Sequence, residues 1–311
     1  MKELTDEEIL KQLEAMQQDL RELELWEELD EYKYILFNSI EGKLGRNYLK
    51  QRGISLETAK FWQLGYCPKN FIPTCMKNNE ERIKESKKLQ GRLIIPIRDQ
   101  NGKLITISGR GIDSQIKPKY IHYKFPARRI LYGLYENRSE LRKHNMCVIT
   151  EGQLDVISAW QANFPVVVSS FGAHAGEIHL AIASRYASNI YFAYDADHAG
   201  KNGLDMVKKF KTYGDVSIHL CYDFLPKDED IDSFLRKHTG KQLYEHIVNC
   251  ERNNMLWKLK YEKNLKVETN TLQGIKDKEI RKLQYIEELK KEGKWIEPKK
   301  KEIGKDDLIL K

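Results

Sequence analysis

The chain reads as an α/β protein: a parallel sheet flanked by helices, preceded by a basic mixed α+β subdomain, with helical segments at both ends. Three observations carry this. From about residue 145, short β-branched runs alternate with helix-like runs. That alternation requires right-handed crossovers and a mainly parallel sheet covered on both faces. Ahead of it, two strand-like runs flank Asn101-Gly102, the strongest short signal for an antiparallel hairpin. At either end the sequence becomes densely charged and helical in pattern.

Residues 5–29 read as one helix. Thr5 suits the N-cap, with Glu8 three residues on as its capping-box partner. Ile9, Leu13, Met16, Leu20 and Leu23 recur at helical spacing. Residues 1–31 carry twelve acids and three bases, a net of −9. The stripe is expected to pack or self-associate, or to dock a partner, and not to carry catalysis.

Residues 32–75 read as short helices punctuated by Gly42, Gly45, Gly53 and Gly65. Arg92–Ile97 and Lys103–Ser108 read as the hairpin strands. The alternating part offers strands at Met146–Thr150, Val166–Ser169, Ile190–Tyr194 and Val216–Cys221. Its helices are expected at Leu154–Ala162, Glu177–Ala183, Gly200–Tyr213 and Gln242–Val248. Four parts follow: an acidic amphipathic helix over 1–31, a basic subdomain over 32–140, the parallel-sheet domain over 141–250, and a Lys/Glu-rich helical tail over 251–311, fraying after Gly293.

Composition narrows the function. No stretch approaches the roughly 20 apolar residues that span a bilayer, and the N-terminal segment is acidic, unlike a secretory signal. No membrane partner is expected. The five cysteines are scattered, with no CxxC pair, which argues against a disulfide scaffold or a zinc site and for a reducing, cytoplasmic compartment. Residues 91–134 hold nine bases (among them Arg92, Arg98, Arg110, Lys119, Arg128 and Arg129) against two acids. A basic block beside acidic segments points to a polyanion partner.

In open α/β sheets, ligands gather beyond the carboxyl ends of the strands. Three such ends carry acids here. Thr150 runs into Glu151-Gly152 and a helix holding Asp155; Tyr194 runs into Asp195-Ala196-Asp197; and after Cys221 come Asp230 and Asp232. Crowded carboxylates repel unless a cation neutralises them. Hard oxygen donors suit Mg²⁺ or Mn²⁺.

The run Thr150-Glu151-Gly152-Gln153-Leu154-Asp155, then Asp195-Ala196-Asp197 with Ala199-Gly200, then Asp230-Ile231-Asp232, resembles a TOPRIM domain. The segments before it resemble the basic N-terminal part of the DnaG-type primase core: Gly91–Asp99, Ser108-Gly109-Arg110, Pro118-Lys119-Tyr120, Leu131-Tyr132-Gly133-Leu134 and Tyr48–Ile54. The resemblance covers roughly residues 32–250. It implies a TOPRIM-type sheet, with Glu151 as catalytic glutamate and Asp155 beside it. It also implies Asp195 and Asp197 as the metal pair, Asp230 and Asp232 as the later acidic pair, and Arg110 and Lys119 as bases for template and nucleotide. Arg92 and Arg98 lie nearby, and Arg128 and Arg129 stand close to the place of a family lysine, which is Ala127 here. His122 replaces a family asparagine.

The implied activity is DNA-templated synthesis of short RNA primers by two-metal nucleotidyl transfer, using single-stranded DNA and ribonucleoside triphosphates in a bacterial cell or phage-infected host. The family's zinc ribbon has no ligand cluster in this sequence. Template recognition by zinc is therefore expected to be absent or supplied by a zinc-domain protein in trans, and a replicative helicase is the other expected partner. Rival readings are a TOPRIM nuclease on the same acids and a non-catalytic DNA- or helicase-binding replication protein.

Overall fold

The computed structural model describes residues 5–77, 79–172, 175–194, 216–221, 223–226 and 229–250. Asp195, Asp197, the helix expected over Gly200–Tyr213 and the tail over 251–311 lie outside the described residues.

Thr5 caps α1 (Asp6–Asn38), and the capping box with Glu8 is formed. The helix runs nine residues past the expected end at residue 29, through the expected boundary at residue 31. The reason is a change of face. Leu13, Met16, Leu20 and Leu23 are at least half exposed, whereas Leu25, Leu29, Tyr32 and Leu36 are buried. The second set continues the helix as a packed element, because burial of an apolar face supplies most helical stability in proteins. Glu22 accepts from the Leu104 backbone N–H at 3.0 Å, and Lys103 reaches Asp19 at 2.8 Å, fixing the middle of α1 to the hairpin.

Beyond α1 come α2 (Lys43–Gln51), α3 (Leu56–Phe61), β1 (Gly65–Cys67) and α4 (Glu80–Lys87). The strand β1 falls where short helices were expected. Its three residues are fully buried and pair antiparallel with the hairpin. A run this short gives too little period for the sequence to declare it.

The hairpin forms as expected from β2 (Arg92–Arg98) and β3 (Leu104–Gly111), and β4 (Tyr120–His122) completes an antiparallel sheet of order β1-β2-β3-β4. Asp99 holds the turn: its carboxylate accepts from the N–H groups of Asn101 (2.9 Å) and Lys103 (3.0 Å). Gly102 has φ +94°, and a Cβ there would meet the Tyr135 ring at 2.5 Å, so no other residue fits without displacing that ring.

Helix α5 (Leu134–His144) leads into the second sheet. Its elements are β5 (Met146–Thr150), α6 (Gln153–Gln161), β6 (Val167–Ser169), α7 (Glu177–Ala183), β7 (Asn189–Phe192) and β8 (Ser217–Leu220). The order is β6-β5-β7-β8, parallel throughout, as the alternation predicts. Helix α8 (Ile231–Leu235) follows, and residues 240–250 are helical where Gln242–Val248 was expected. One apolar cluster joins the two sheets, running from Leu93 and Ile95 through Trp62 and Tyr132 to Val148 and Val168.

One acid of the charged N-terminal helix lies inside this fold. Glu28 of α1 is fully buried and accepts from the hydroxyls of Tyr32 (2.9 Å) and Tyr123 (2.6 Å). Burial raises its pKa to about 7, against the pull of those two hydrogen bonds and of Arg82.

Candidate active site

Strand β5 delivers Glu151 to the carboxyl edge of the parallel sheet, and the turn that follows is pinned from several sides. The Glu151 carbonyl accepts from the Ser169 hydroxyl (2.7 Å) and the Gly172 N–H (3.0 Å). Asp155, in the first turn of α6, accepts from the Gly152 N–H at 3.2 Å and the Thr150 hydroxyl at 3.4 Å. An acid at this position also complements the N-terminal dipole of the helix. Asp155 Oδ1 further accepts from the Asp232 backbone N–H at 3.1 Å, tying α8 to the start of α6.

Asp230 is the N-cap of α8 and accepts from the Ser233 N–H at 2.7 Å. Burial works to raise its pKa. The hydrogen bonds from Ser233, with Arg52 and Lys119 nearby, outweigh that and hold it below the ordinary carboxylate value. Asp230 is therefore ionised at neutral pH. Asp232, two residues on, is differently placed. It is 1% exposed, with one carboxylate oxygen accepting from Arg52 Nη1 at 2.5 Å and the other from the Ser158 hydroxyl at 2.7 Å.

The antiparallel sheet supplies the other wall. Arg110 on β3 is 7% exposed; its Nε donates to the Tyr48 hydroxyl at 3.1 Å and its guanidinium lies 4.7 Å from the Tyr120 ring centre. Lys119, just before β4, is exposed. Gln153 donates to the Ser108 hydroxyl at 3.2 Å, joining the start of α6 to β3. Between the walls lies a pocket of about 240 Å³, with Arg110, Lys119, Tyr120 and His122 on one side and Glu151, Asp155 and Asp230 on the other. Opposite charges brought to one small cavity suit a ligand that carries both a cation and phosphates.

The structure separates the remaining bases. Arg92, grouped with the phosphate-facing residues on charge alone, is 3% exposed and lies outside this pocket. It donates to the carbonyls of Lys88 (3.0 Å) and Pro118 (2.8 Å), so it holds the segment that presents Lys119. Arg98 is paired with buried Glu136 at 2.7 Å, also away from the pocket. Arg128 and Arg129 are exposed on a short turn over Ala127–Arg129. The Ala127 carbonyl of that turn lies 3.0 Å from the His179 ring nitrogen.

Sequence reasoning assigns no role to Arg52, Tyr48 or Ser158 at this site. Arg52 stands within the Tyr48–Ile54 motif; its ion pair with a residue 180 positions away leaves no local pattern to read. Among the described residues, no three His, Cys, Asp or Glu side chains gather as a metal-binding cluster. No helix among them is long and apolar enough to cross a membrane.

Residues 32–138 match the family model for the N-terminal domain of the DNA primase catalytic core, and residues 148–235 match the Toprim-like model. The chain is 27% identical over 269 residues to the DNA primase of Staphylococcus epidermidis, a match covering 79% of this chain and 44% of that protein. It thus spans less than half the length of that curated relative. A DNA primase domain from Pseudomonas aeruginosa superposes with a TM-score of 0.63 at 27% identity, covering 72% of this chain and 77% of that one. A DnaG primase catalytic domain solved with single-stranded DNA shares the fold, with a TM-score of 0.66 at 24% identity over 76% of this chain and 80% of that one. With both family segments in this order, and an antiparallel sheet facing the acidic end of a parallel one, the chain belongs to the family of DnaG-type primase catalytic cores.

Proposed function

We propose that this chain is a DNA primase that joins ribonucleotides on a single-stranded DNA template. The observation that carries the reading is the shared pocket, which sets Arg110 and Lys119 of one sheet against Glu151 and Asp230 of the other. A nuclease working from the acidic edge alone has no need of that basic wall.

Mg²⁺ or Mn²⁺ fits the donor set. Glu151 and Asp230 offer hard oxygens at one pocket, and Mg²⁺ needs only one or two carboxylates beside substrate phosphates. Asp195 and Asp197, which follow β7 in the sequence, would complete the set. Such ions activate the attacking hydroxyl and neutralise the leaving pyrophosphate. The chain's own residues bind and orient. Lys119 and Arg110 receive the triphosphate and the template backbone. Tyr120, backed by the Arg110 guanidinium, shapes the wall between them. Asp155 and Asp232 act as positioning residues, because their carboxylates hold backbone N–H groups, Arg52 and Ser158. Arg128 and Arg129 extend the basic surface. A zinc-domain protein and a replicative helicase are the proposed partners, in the cytoplasm of a bacterium or a phage-infected host.

The test is incubation of the full chain with single-stranded DNA, four labelled ribonucleotides and Mg²⁺ or Mn²⁺. Short RNA products are expected, and Glu151→Gln should lower their yield at least about 100-fold, beyond the loss typical of residues that only support a metal ligand, with an unchanged melting temperature. Shortened DNA would make the chain a nuclease, and no product in either channel would make it a binding module.

A further inference from the structure

A second pocket, of about 350 Å³, shares Arg52 and Asp232 with the candidate active site but is otherwise lined by different residues. Its wall carries two guanidinium groups, Arg52 and Arg236, and a single carboxylate, Asp232. The other lining residues include Gln161, Asn163, His238 and Thr239, none of them acidic. The charges do not balance. Asp232 is already held by Arg52 Nη1 and the Ser158 hydroxyl. The Arg236 guanidinium stands 3.9 Å from the same carboxylate, beyond hydrogen-bond length, while its Nε donates to the Asp232 carbonyl at 3.4 Å; its side chain is 39% exposed. The wall of this polar cavity thus carries one more guanidinium than carboxylate.

The position of Arg52 is fixed independently of any ligand. Gln161 of α6 donates to the Gly53 carbonyl at 2.7 Å and accepts from the Ser55 N–H at 2.7 Å, so both sides of the loop after Arg52 are tied to the helix. The Arg52 guanidinium also lies 5.4 Å from the Tyr48 ring centre. A guanidinium preset in this way loses little freedom on binding, and arginine recognises phosphate by paired, charge-assisted hydrogen bonds. Thr239 caps the helix over residues 240–250, accepting from the Gln242 N–H at 3.3 Å, so a helix N-terminus adds its partial positive charge to the same wall.

We propose that this pocket is a phosphate-binding site, separate from the candidate active site, in which Arg52 and Arg236 hold a phosphate group. Because Arg52 also holds Asp232, and the Asp232 backbone N–H holds Asp155, an anion drawing on Arg52 bears on the acidic wall of the first pocket. The phosphate can belong to inorganic phosphate, to pyrophosphate or to the end of a nucleic acid.

The experiment is calorimetric titration of the full chain, in EDTA and without template, with three probes: inorganic phosphate, pyrophosphate and a 5′-phosphorylated dinucleotide. The same titrations are run on Arg236→Gln and Lys119→Gln. Arg236 lines only this pocket and Lys119 only the other. Arg236 is exposed enough for its replacement to leave the fold intact, which circular dichroism checks. Saturable binding of at least one probe is expected, weakened about 10-fold or more by Arg236→Gln, as loss of one charge-assisted pair predicts. The tightest probe identifies the source of the phosphate. Binding that survives Arg236→Gln and disappears with Lys119→Gln would place the anion in the first pocket and overturn the proposal. So would the absence of saturable binding for all three probes.

Discussion

The two sheets face one pocket, yet each divides its charged side chains in the same way. On the parallel side, Glu151, Asp155, Asp230 and Asp232 all line the cavity, but Asp232 is tied to Arg52 and Ser158 and Asp155 to backbone N–H groups. On the antiparallel side, Arg110 and Lys119 line the cavity, while Arg92 grips four carbonyls and Arg98 pairs with Glu136. What separates Asp232, Asp155, Arg92 and Arg98 is the number and charge of their partners: each holds an ion partner or several polar groups, whereas Asp230 is held through the Ser233 N-cap and Arg110 through the Tyr48 hydroxyl and the Tyr120 ring. A charge withdrawn from water is tolerated only where it is paired and hydrogen-bonded, and a ligand must compete with that partner for it. Committed members should therefore answer to stability measurements, and available members to binding and turnover.

The largest stability effect is expected at the most deeply committed pair. Arg52→Ala leaves the Asp232 carboxylate, 1% exposed, without its direct cation. Breaking a buried pair from one side costs about 3–5 kcal/mol. Urea denaturation should show a loss in that range. A loss below about 1 kcal/mol, together with impaired priming, would move Arg52 into the available set and break the division.

The next effect concerns Glu28, an acid committed inside the basic half. Its folded pKa of about 7 stands above the ordinary 4.5. The folded state therefore binds the proton more tightly than the unfolded one. The stability this confers is complete below pH 4.5 and is lost as pH rises through about 7, in total about 3 kcal/mol. Glu28→Gln keeps an acceptor for Tyr32 and Tyr123 and removes the titration. Thermal melts from about pH 5 to about pH 8 should show a falling melting temperature in the parent that is flattened in the variant. Parallel slopes in the two proteins would mean that Glu28 is ionised throughout.

Much of this was legible in the sequence because it rests on period and topology. Alternating β-branched and helical runs specify a parallel sheet, and a parallel sheet specifies which ends of its strands meet. That places Glu151 and Asp230 at one edge before any coordinate is known. The Asn101-Gly102 turn declares its hairpin by the same kind of local rule. The strand Gly65–Cys67 was too short to declare itself, and the continuation of α1 past residue 29 depends on a burial face that begins only at Leu25. The division between committed and available charges was illegible for a different reason. Arg92 and Arg110 are both bases on neighbouring strands, and only the carbonyls of Lys88 and Pro118, within reach of one and not the other, tell them apart.

Lys119 offers the finest test of that division, because its effect should appear in binding alone. It is exposed at the pocket, carried on the segment that Arg92 holds through the Pro118 carbonyl. As a point charge on a flexible stem it suits phosphate binding without sequence preference. Removing one cation from a single strand's phosphates lowers the slope of log K against log salt by about 0.7. Lys119→Gln should therefore weaken single-stranded DNA binding a few-fold at low salt, reduce the slope by about 0.7 and leave the melting temperature unchanged. Arg92→Met is the paired control. It removes a buried guanidinium and the donor to four carbonyls, so its melting temperature should fall, while any weakening of DNA binding should follow only from the loosened presentation of Lys119. The double variant then separates the two. If Arg92 acts through Lys119, adding Arg92→Met to Lys119→Gln changes the salt slope no further. A second drop of about 0.7 in the double variant would mean that Arg92 touches phosphate itself, and its hold on backbone carbonyls would then fail as the criterion that sorts these bases.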